Sequence, residues 1–405
     1  MRTCPSCQRS NTRSFPLFRC LLLLTSIVLA TNTWGASSLD VAVKVKENAG
    51  VGATFFPLTS VIPLPEGRFL DPAMLGMSDV PSQIEVLERW PGDQSLRHVL
   101  VHFPASVETN GKAVYRFTQG KPISPSSPVV VGENPFGVVV TTGPLKFTVK
   151  KNAFNILDEV WLDTNSDGVF QEAEKVIASH LQNGGVFMPR DVAGPVQYDT
   201  ARQDLQVAVE EWGPVRAVIR VEAPARFTGT SDHLHGFSVR IYAFSGQPFV
   251  KIDYQLQNSD KNVVRSWPLY FEAMNLDFRL NLASTRRVRF GLGNGSVLQI
   301  EPGSVGRLAQ EMHNQFRIYG SGDSIVYDSG KLANGVGPDG FMDVADARRG
   351  VMAVVRNFWQ MWPNGLEIDQ NNKLSVQLFP SWSAQWHGGA FSPSGLYWLE
   401  DMQHV

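Results

Sequence analysis

Short runs in which apolar and polar residues alternate dominate this sequence and limit what it can fold into. Asp40–Lys46 alternates strictly, and two further runs, Phe237–Phe244 and Phe249–Leu256, are joined by the turn-forming residues Ser245–Pro248. A period of two places successive side chains on opposite faces of a strand. Helical periodicity over more than about ten residues is hard to find, and 35 Gly and 25 Pro interrupt the chain at short intervals. We therefore predict an all-β protein.

The first 36 residues have the pattern of a secretory signal peptide. Arginines precede an apolar run, Cys20–Ala30, which small and polar residues follow. A membrane anchor is the alternative, but the run has about 11 residues and a span needs about 20. All three cysteines, Cys4, Cys7 and Cys20, lie in this leader. We expect a secreted or periplasmic mature chain without disulfides and, after leader removal, without a membrane segment.

Size and composition predict two domains. About 370 residues follow the leader, more than one core usually contains. Lys121–Pro128, rich in proline and serine, is the best candidate for a linker. We predict a signal peptide at 1–36, a small N-terminal β-barrel at 38–120, a linker at 121–137 and a large antiparallel β-sandwich at 138–405. The net charge is −2, which argues against a nucleic-acid partner.

The segment Asp163–Glu174 has the spacing of a calcium loop. Oxygen donors occupy positions one, three, five, nine and twelve, Gly168 permits the turn at six, and position seven offers its carbonyl. An ordinary acidic turn is the alternative, because the same residue types favour turns. The predicted ligands of a structural Ca²⁺ are Asp163, Asn165, Asp167, Val169, Gln171 and Glu174.

The flanks of this loop do not predict an EF-hand. An EF-hand needs a helix on each side, but Asn155–Leu162 alternates like a strand. Gln171–Leu181 fits either a short helix or a strand. A single loop of this kind is expected to stabilise an extracellular domain, with an affinity of about 0.1 to 1 mM.

Three segments near the start of the mature chain are Val61–Gly67, Val80–Gln83 and Arg89–Val99. They resemble the small N-terminal β-barrel of the exo-rhamnogalacturonan lyase family, also called YetA-like. Segments that resemble its central β-sandwich, a supersandwich architecture, are Glu211–Val218, Ser245–Val250 and Arg348–Trp359. The resemblance implies a secreted carbohydrate-active protein that acts on pectic or related polysaccharide by β-elimination.

The same resemblance leaves the catalytic residues unknown. Family members continue into a helical α/α toroid that carries the lyase chemistry, and this sequence ends at Val405 without one. We expect either the non-toroid part of such an enzyme, inactive by itself and able to partner a separate toroid domain, or a noncatalytic carbohydrate-binding or assembly module.

Two charged groups offer alternative chemistry. Arg286, Arg287 and Arg289 can supply positive charge, and His233 and His235 can supply a base. We interpret the arginines as belonging to a solvated edge strand and the histidines as structural, because no third metal ligand stands nearby in sequence.

Half of the ten tryptophans fall near the C-terminus. They are either platforms for sugar rings or, the interpretation we prefer, core and interface residues. These five are Trp359, Trp362, Trp382, Trp386 and Trp398.

Overall fold

The computed structural model describes residues 38–189, 196–227, 233–258, 269–293, 295–333, 336–382, 397–399 and 403–404. The expected signal peptide lies outside these residues. Among the described residues, no helix has the length and apolar character that crossing a membrane requires. Leu39–Val405 forms one compact unit, and two separate hydrophobic cores lie within it.

The first core lies between two three-stranded sheets, in the orders β1-β6-β3 and β2-β5-β4. Their strands are β1 (Asp40–Lys46), β2 (Ala53–Pro63), β3 (Leu75–Met77), β4 (Gln83–Arg89), β5 (Leu96–Val107) and β6 (Lys112–Gln119), with a 3-10 helix at Pro72–Met74. Strand β5 supplies Leu96, Val99 and Val101, all fully buried. We call this part of the chain, residues 38–120, the N-terminal part.

The rest of the chain adds strands and short 3-10 helices. The strands are β7 (Val130–Asn134), β8 (Gly137–Thr141), β9 (Leu145–Lys150), β10 (Val160–Leu162), β11 (Lys175–Ile177), β12 (Gly184–Pro189), β13 (Gln197–Tyr198), β14 (Gln206–Trp212), β15 (Arg216–Ala223), β16 (Arg226–Phe227), β17 (His233–Leu234), β18 (Gly236–Phe244), β19 (Val250–Asn258), β20 (Leu269–Arg279), β21 (Arg287–Gly291), β22 (Val297–Ile300), β23 (Gly306–Met312), β24 (Gln315–Tyr319), β25 (Ile325–Asp328), β26 (Phe341–Ala345), β27 (Gly350–Val354), β28 (Asn364–Ile368), β29 (Lys373–Phe379), β30 (Tyr397–Leu399) and β31 (Gln403–His404). The 3-10 helices are Glu172–Glu174, Asp199–Ala201 and Ser321–Asp323.

These strands form a large antiparallel sandwich. Its nine-stranded sheet has the order β13-β12-β20-β29-β28-β23-β24-β25, with β30 also paired to β20. A five-stranded sheet has the order β14-β15-β18-β19-β31, a second the order β11-β10-β9-β8-β7, and a four-stranded sheet the order β22-β21-β26-β27. One core connects all four sheets and includes Phe147, Phe187, Ile241, Phe271 and Val288. We call this part the sandwich.

The all-β prediction is confirmed, and several strand predictions agree closely with the structure. The predicted strand Asp40–Lys46 is β1, and the predicted pair Phe237–Phe244 and Phe249–Leu256 corresponds to β18 and β19. Ser245 to Pro248 connect these two strands, whose pairing is antiparallel. The alternation of apolar and polar residues was a sufficient signal here, because each strand has one face in the core.

Two local predictions are wrong. Asn155–Leu162 is not one strand, since only Val160–Leu162 pairs. Ile156 has a φ of 64°, and the Asn155 side chain donates a hydrogen bond to Asp158 at 2.8 Å, so the preceding residues form a turn. The predicted edge strand around Arg287 and Arg289 is β21, which has a partner on both sides.

Candidate functional site

A row of polar side chains crosses five neighbouring strands of the nine-stranded sheet. The strand register places Asp277 opposite Ser375, Ser375 opposite Glu367, Glu367 opposite Arg307, and Arg307 opposite Tyr319. Residues directly opposite each other on antiparallel strands share one face of the sheet. We call these five residues the polar row.

The polar row lies on the face of the sheet that points away from the core. Leu308, Leu366 and Leu374 each adjoin a row residue in sequence and are 0%, 0% and 2% exposed. Because successive residues of a strand point to opposite faces, the neighbours of these leucines face outward. The hydrophobic core therefore fixes the face on which the polar row lies. Arg307, Tyr319 and Glu367 are partly exposed there, whereas Asp277 and Ser375 are buried.

Glu367 is the last acceptor in a chain of hydrogen bonds that begins at Trp382. Gln377 donates to Glu367 through its Nε2 at 2.6 Å, and the Trp382 indole donates to Gln377 Oε1 at 2.9 Å. Gly365 makes room for this arrangement, because a Cβ atom there would lie 2.4 Å from Gln377 Oε1. The Glu367 carboxylate is therefore held by Gln377, whose own side chain is held in place by Trp382.

Arg307 joins the charged and aromatic groups of the row. Its guanidinium lies 4.7 Å from the centroid of the Tyr319 ring and 5.9 Å from that of Trp382. Its Nη2 donates to Asp323 at 2.9 Å. Arg307, Tyr319, Asp323 and Glu367 line a depression of about 270 Å³, close to the lower limit of about 300 Å³ for small-molecule sites.

Both carboxyl groups of the row have raised pKa values. Burial raises the pKa of Glu367, and the nearby charges of Arg307 and Lys373 oppose that rise. Burial also raises the pKa of Asp277, whose carboxylate pairs with Lys373 at 3.1 Å. One strand separates the two, so their Cα atoms lie about 9.6 Å apart. Carboxyls with raised pKa values beside an open depression are typical of sites that bind ligands or transfer protons.

The acidic loop Asp163–Glu174 folds around its own carboxylates. Asp163 accepts hydrogen bonds from the backbone N–H groups of Asp167 at 3.2 Å and Gly168 at 2.9 Å. The Asp167 N–H also bonds to Asn165 Oδ1 at 3.1 Å. Oxygen donors at positions one, three and five are thus gathered on one loop, as a hard cation requires.

Glu174, the predicted twelfth ligand, is occupied differently. It is 5% exposed, and it accepts from the Thr164 N–H at 2.9 Å and the Gln171 N–H at 3.1 Å. These backbone donors lower its pKa. The carboxylate oxygens of Asp163, Asp167 and Glu174 do not all approach within 4.8 Å of one another. The first part of the loop fits the donor set of Ca²⁺, whereas Glu174 would have to turn to join it.

The other predicted ligands lie on the exposed side of this loop. The side chains of Val169 and Gln171 are exposed, and the Val169 N–H donates to Asp167 Oδ1 at 2.8 Å. Gln171 Nε2 lies 3.4 Å from Asp167 Oδ2. The segment Gln171–Leu181, left open between helix and strand, contains a 3-10 helix followed by β11.

His235 and Arg286 are structural, because both are buried and have partners within the chain. His235 is 1% exposed, stacks on Phe187 at 4.5 Å, and lies 3.2 Å from Asp199 Oδ1. The side chain of His233 lies outside the described residues. Arg286 is 1% exposed and donates to the Asp369 carbonyl at 2.6 Å.

Arg289 is also paired, because its Nε donates to Asp343 at 2.8 Å. Arg287 is exposed on the same strand. The three arginines therefore do not converge on one ligand site.

The predicted tryptophans occupy separate places. Trp382 contacts the polar row, Trp359 packs against Gly337 beside a second depression, and Trp398 lies opposite Tyr270 on β30. Trp362 is half-buried. Trp386 lies outside the described residues.

Sequence reasoning missed Arg307, Tyr319, Glu367 and Gln377. The polar alternation in β28 and β29 was visible, but the register that aligns these residues with β23 and β24 depends on contacts between distant segments. The row could not be assembled from any one stretch of sequence.

The two largest sheets and their shared core define a large antiparallel β-sandwich protein. Residues 129–319 match the family model of the PcRGLX-like protein central beta sandwich domain. This stretch is a rhamnogalacturonan lyase-like β-sandwich domain, and the sequence resemblance is confirmed over it. The matched residues include Arg307 and Tyr319, whereas Glu367 and Gln377 follow the matched stretch.

Two other comparisons add little. No curated protein matches the chain. One solved structure that aligns with it is a TPR-domain containing protein from Parabacteroides distasonis, with 8% sequence identity and a TM-score of 0.38. The alignment covers 90% of this chain and 54% of that protein, so the chain spans about half of its length.

Proposed function

We propose that this chain is a carbohydrate-active protein that binds an acidic pectic glycan across the polar row. The observation that carries the proposal is a depression of the sandwich that Glu367, Arg307 and Tyr319 line, with the Trp382 ring 5.9 Å from the Arg307 guanidinium. The rhamnogalacturonan lyase-like domain at residues 129–319 supports the same substrate class.

The chemistry of the row suits a sugar acid. Carboxylate and amide groups such as Glu367 and Gln377 accept and donate hydrogen bonds to hydroxyl groups. Aromatic faces such as Tyr319 and Trp382 provide apolar area for a pyranose ring. Arg307 offers the planar donor geometry that recognises a carboxylate, and it is only partly neutralised by Asp323, whose side chain is 75% exposed.

Calorimetric titration of the purified chain with rhamnogalacturonan oligosaccharides tests this proposal. We expect binding that Arg307→Ala or Trp382→Ala weakens by at least about tenfold, the effect of losing about 1.4 kcal/mol. Dextran of similar length, which lacks carboxylates, should bind more weakly.

Two matched variants serve as controls. Arg116→Ala removes an exposed arginine from the N-terminal part, where it pairs with Asp40 at 3.0 Å. Trp212→Ala removes a tryptophan that is 73% exposed on β14. Both should leave the affinity unchanged. If Trp212→Ala abolishes binding and Trp382→Ala does not, the glycan binds elsewhere.

A second candidate function is β-elimination at the same site. In this reaction a base takes the C5 proton of a uronate, the C4–O bond breaks, and the leaving oxygen receives a proton. Glu367 favours this candidate because it is a carboxyl with a raised pKa beside the guanidinium of Arg307. The test is the ultraviolet absorbance of an unsaturated uronide product. Product that Glu367→Gln abolishes supports catalysis, whereas binding without product supports a noncatalytic module.

We further propose the accessory features that the sequence predicts. A calcium ion at the acidic loop would stabilise the turn between β10 and β11 through Asp163, Asn165 and Asp167. The leader supports a location outside the cytoplasm, and a separate helical toroid domain is the partner that the family resemblance implies. Secretion assays with a reporter fused after residue 36 and co-purification with a toroid domain test these two points.

A further inference from the structure

Three side chains that can bind metal converge where the N-terminal part meets the sandwich. Glu85 lies on β4, His102 on β5 and Glu211 on β14. His102 Nε2 lies 3.3 Å from Glu211 Oε1 and 3.5 Å from Glu85 Oε2. One donor atom from each of the three lies within 4.8 Å of the other two.

His102 has a buried nitrogen with no hydrogen-bond partner. The residue is 1% exposed, and its Nδ1 lies 2.8 Å from Thr59 Oγ1. Its Nε2 is buried and makes no hydrogen bond, because neither carboxylate meets the required geometry. A buried polar atom of this kind is unfavourable unless something satisfies it.

The Thr59 hydroxyl can donate to Nδ1 or accept from it, and in the second case the arrangement is repulsive without a cation. When Nδ1–H donates to Thr59, Nε2 carries a lone pair that points toward two carboxylates. Three electron-rich atoms then face one another in a largely buried place. A metal ion at their centre would turn this repulsion into three bonds.

The charges at the junction also leave room for a cation. Arg216 contacts Glu211 Oε2 and lies 4.0 Å from Glu85 Oε2, so one guanidinium faces two carboxylates.

Two of the three donor separations fit a tetrahedral zinc site. In a tetrahedral zinc site the bonds to nitrogen and oxygen are about 2.0 to 2.2 Å, which places adjacent donor atoms about 3.3 to 3.5 Å apart. The measured separations of 3.3 and 3.5 Å agree with this geometry. The Glu85 side chain is 45% exposed, so a water molecule can complete the coordination.

The surroundings hold the ligands in place. Gln83 donates to Glu211 Oε1 at 2.8 Å, and Arg216 holds the other carboxylate oxygen. Thr59 fixes the orientation of the imidazole. Such secondary contacts typically orient ligands at metal centres.

We propose that Glu85, His102 and Glu211 bind a zinc ion that joins the N-terminal part to the sandwich. Glu85 and His102 belong to the N-terminal part and Glu211 belongs to the sandwich, so the ion acts as a crosslink between the two. This site is separate from the acidic loop and independent of glycan binding.

Calorimetric titration of the full chain, first treated with a chelator, tests the proposal with Zn²⁺ as the probe. We expect one zinc per chain and a higher melting temperature with zinc, since a ligand selective for the folded state stabilises it. Glu85→Gln changes a half-exposed side chain and should weaken binding by at least about tenfold and abolish the melting-temperature rise.

Matched variants and a second readout locate the ion. Glu88→Gln, on the same strand with a side chain 47% exposed, and Asp163→Asn in the acidic loop should both leave zinc affinity unchanged. Co²⁺ should give the intense visible absorption of a four-coordinate site. In chains with ¹⁵N-labelled histidine, zinc should shift Nε2 of one histidine, and that signal should be absent in His102→Ala.

Several results would overturn the assignment. These are no stoichiometric zinc uptake by the folded chain, unchanged affinity in Glu85→Gln, or a spectrum of six-coordinate Co²⁺. A persistent Nε2–H proton on His102 in the presence of zinc would show that a hydrogen bond, not a metal, occupies this place.

Discussion

Replacing Gln83 with alanine should loosen the junction between the two cores. Gln83 lies on β4, but its side chain enters the turn of the sandwich that begins at Gly213. Its Oε1 accepts from the backbone N–H groups of Val215 at 3.0 Å and Arg216 at 2.9 Å. Its Nε2 donates to Glu211 at 2.8 Å. The alanine variant leaves all three groups without their partner.

The structure gives the size of this effect. Each bond between neutral groups contributes about 0.5 to 1.5 kcal/mol, and a bond to a carboxylate about 1.5 to 3 kcal/mol. The sum is about 2.5 to 6 kcal/mol. Gln83 is only partly buried, so water can replace some of what is lost. We therefore expect a loss of about 3 kcal/mol in the free energy of unfolding.

Urea unfolding followed by circular dichroism and by tryptophan fluorescence measures this loss. In Gln83→Ala we also expect the two signals to separate, because the cores no longer unfold together. Gln203→Ala is the control, since its Nε2 makes one long contact of 3.4 Å to the Ala201 carbonyl, and it should change stability by less than about 0.5 kcal/mol. If Gln83→Ala behaves like this control, Gln83 does not lock the junction.

Three further substitutions or treatments have expected outcomes. Burial raises the pKa of Glu367, so the folded chain loses stability relative to the unfolded chain as pH rises through that pKa. Glu367→Gln should remove this loss in melting curves taken from about pH 4 to pH 8. A calcium chelator should lower the melting temperature, with a stabilisation of about 1.4 kcal/mol when calcium is at roughly ten times its Kd, and Asp163→Ala or Asp167→Ala should abolish the response. Gly185→Ala should cost about 3 kcal/mol or more in urea unfolding, because its Cβ would lie 2.0 Å from Asp199 Oδ2.

Each of these has a control. Glu272→Gln changes an exposed carboxyl on the same strand as Asp277 and should keep the pH profile of the parent chain. Asp323→Ala removes an exposed carboxylate outside the acidic loop and should retain the calcium response. For Gly132→Ala the nearest atom to the new Cβ is 4.0 Å away, so a loss as large as that of Gly185→Ala would contradict the steric explanation.

The sequence predicted the fold class well, because strands with one buried face carry their pattern locally. The strand around Arg287 and Arg289 is an example. The sequence predicted a strand there, and β21 pairs with β22. The pattern could not show that β21 also pairs with β26 on its other side. That pairing joins residues more than fifty positions apart, and it makes an interior strand out of a predicted edge.

The candidate sites divide in the same way. The acidic loop lies within twelve residues, so its oxygen donors could be identified directly from the sequence. The orientation of the Glu174 carboxylate toward Thr164 and Gln171 could not. The polar row and the proposed zinc ligands Glu85, His102 and Glu211 come from strands in distant parts of the chain. Their residues became candidates only when the sheet register and the contact between the two cores placed them together.

The segments that resemble the lyase family explain why the resemblance predicts architecture better than chemistry. Gln83, from one such segment, bonds to Glu211 and Arg216 in another. Gln247, from a third, donates to the Phe55 carbonyl at 2.8 Å, and Phe249 stacks on Phe56 at 6.3 Å.

These segments build the junction between the N-terminal part and the sandwich, which requires particular side chains in particular turns. A sugar site on an open sheet face has weaker local requirements, since its groups need only share a face and a register. These motifs therefore report how the two cores are joined, and the proposal that the function lies on the polar row is tested by the variants of Arg307, Glu367 and Trp382, which separate glycan binding from catalysis.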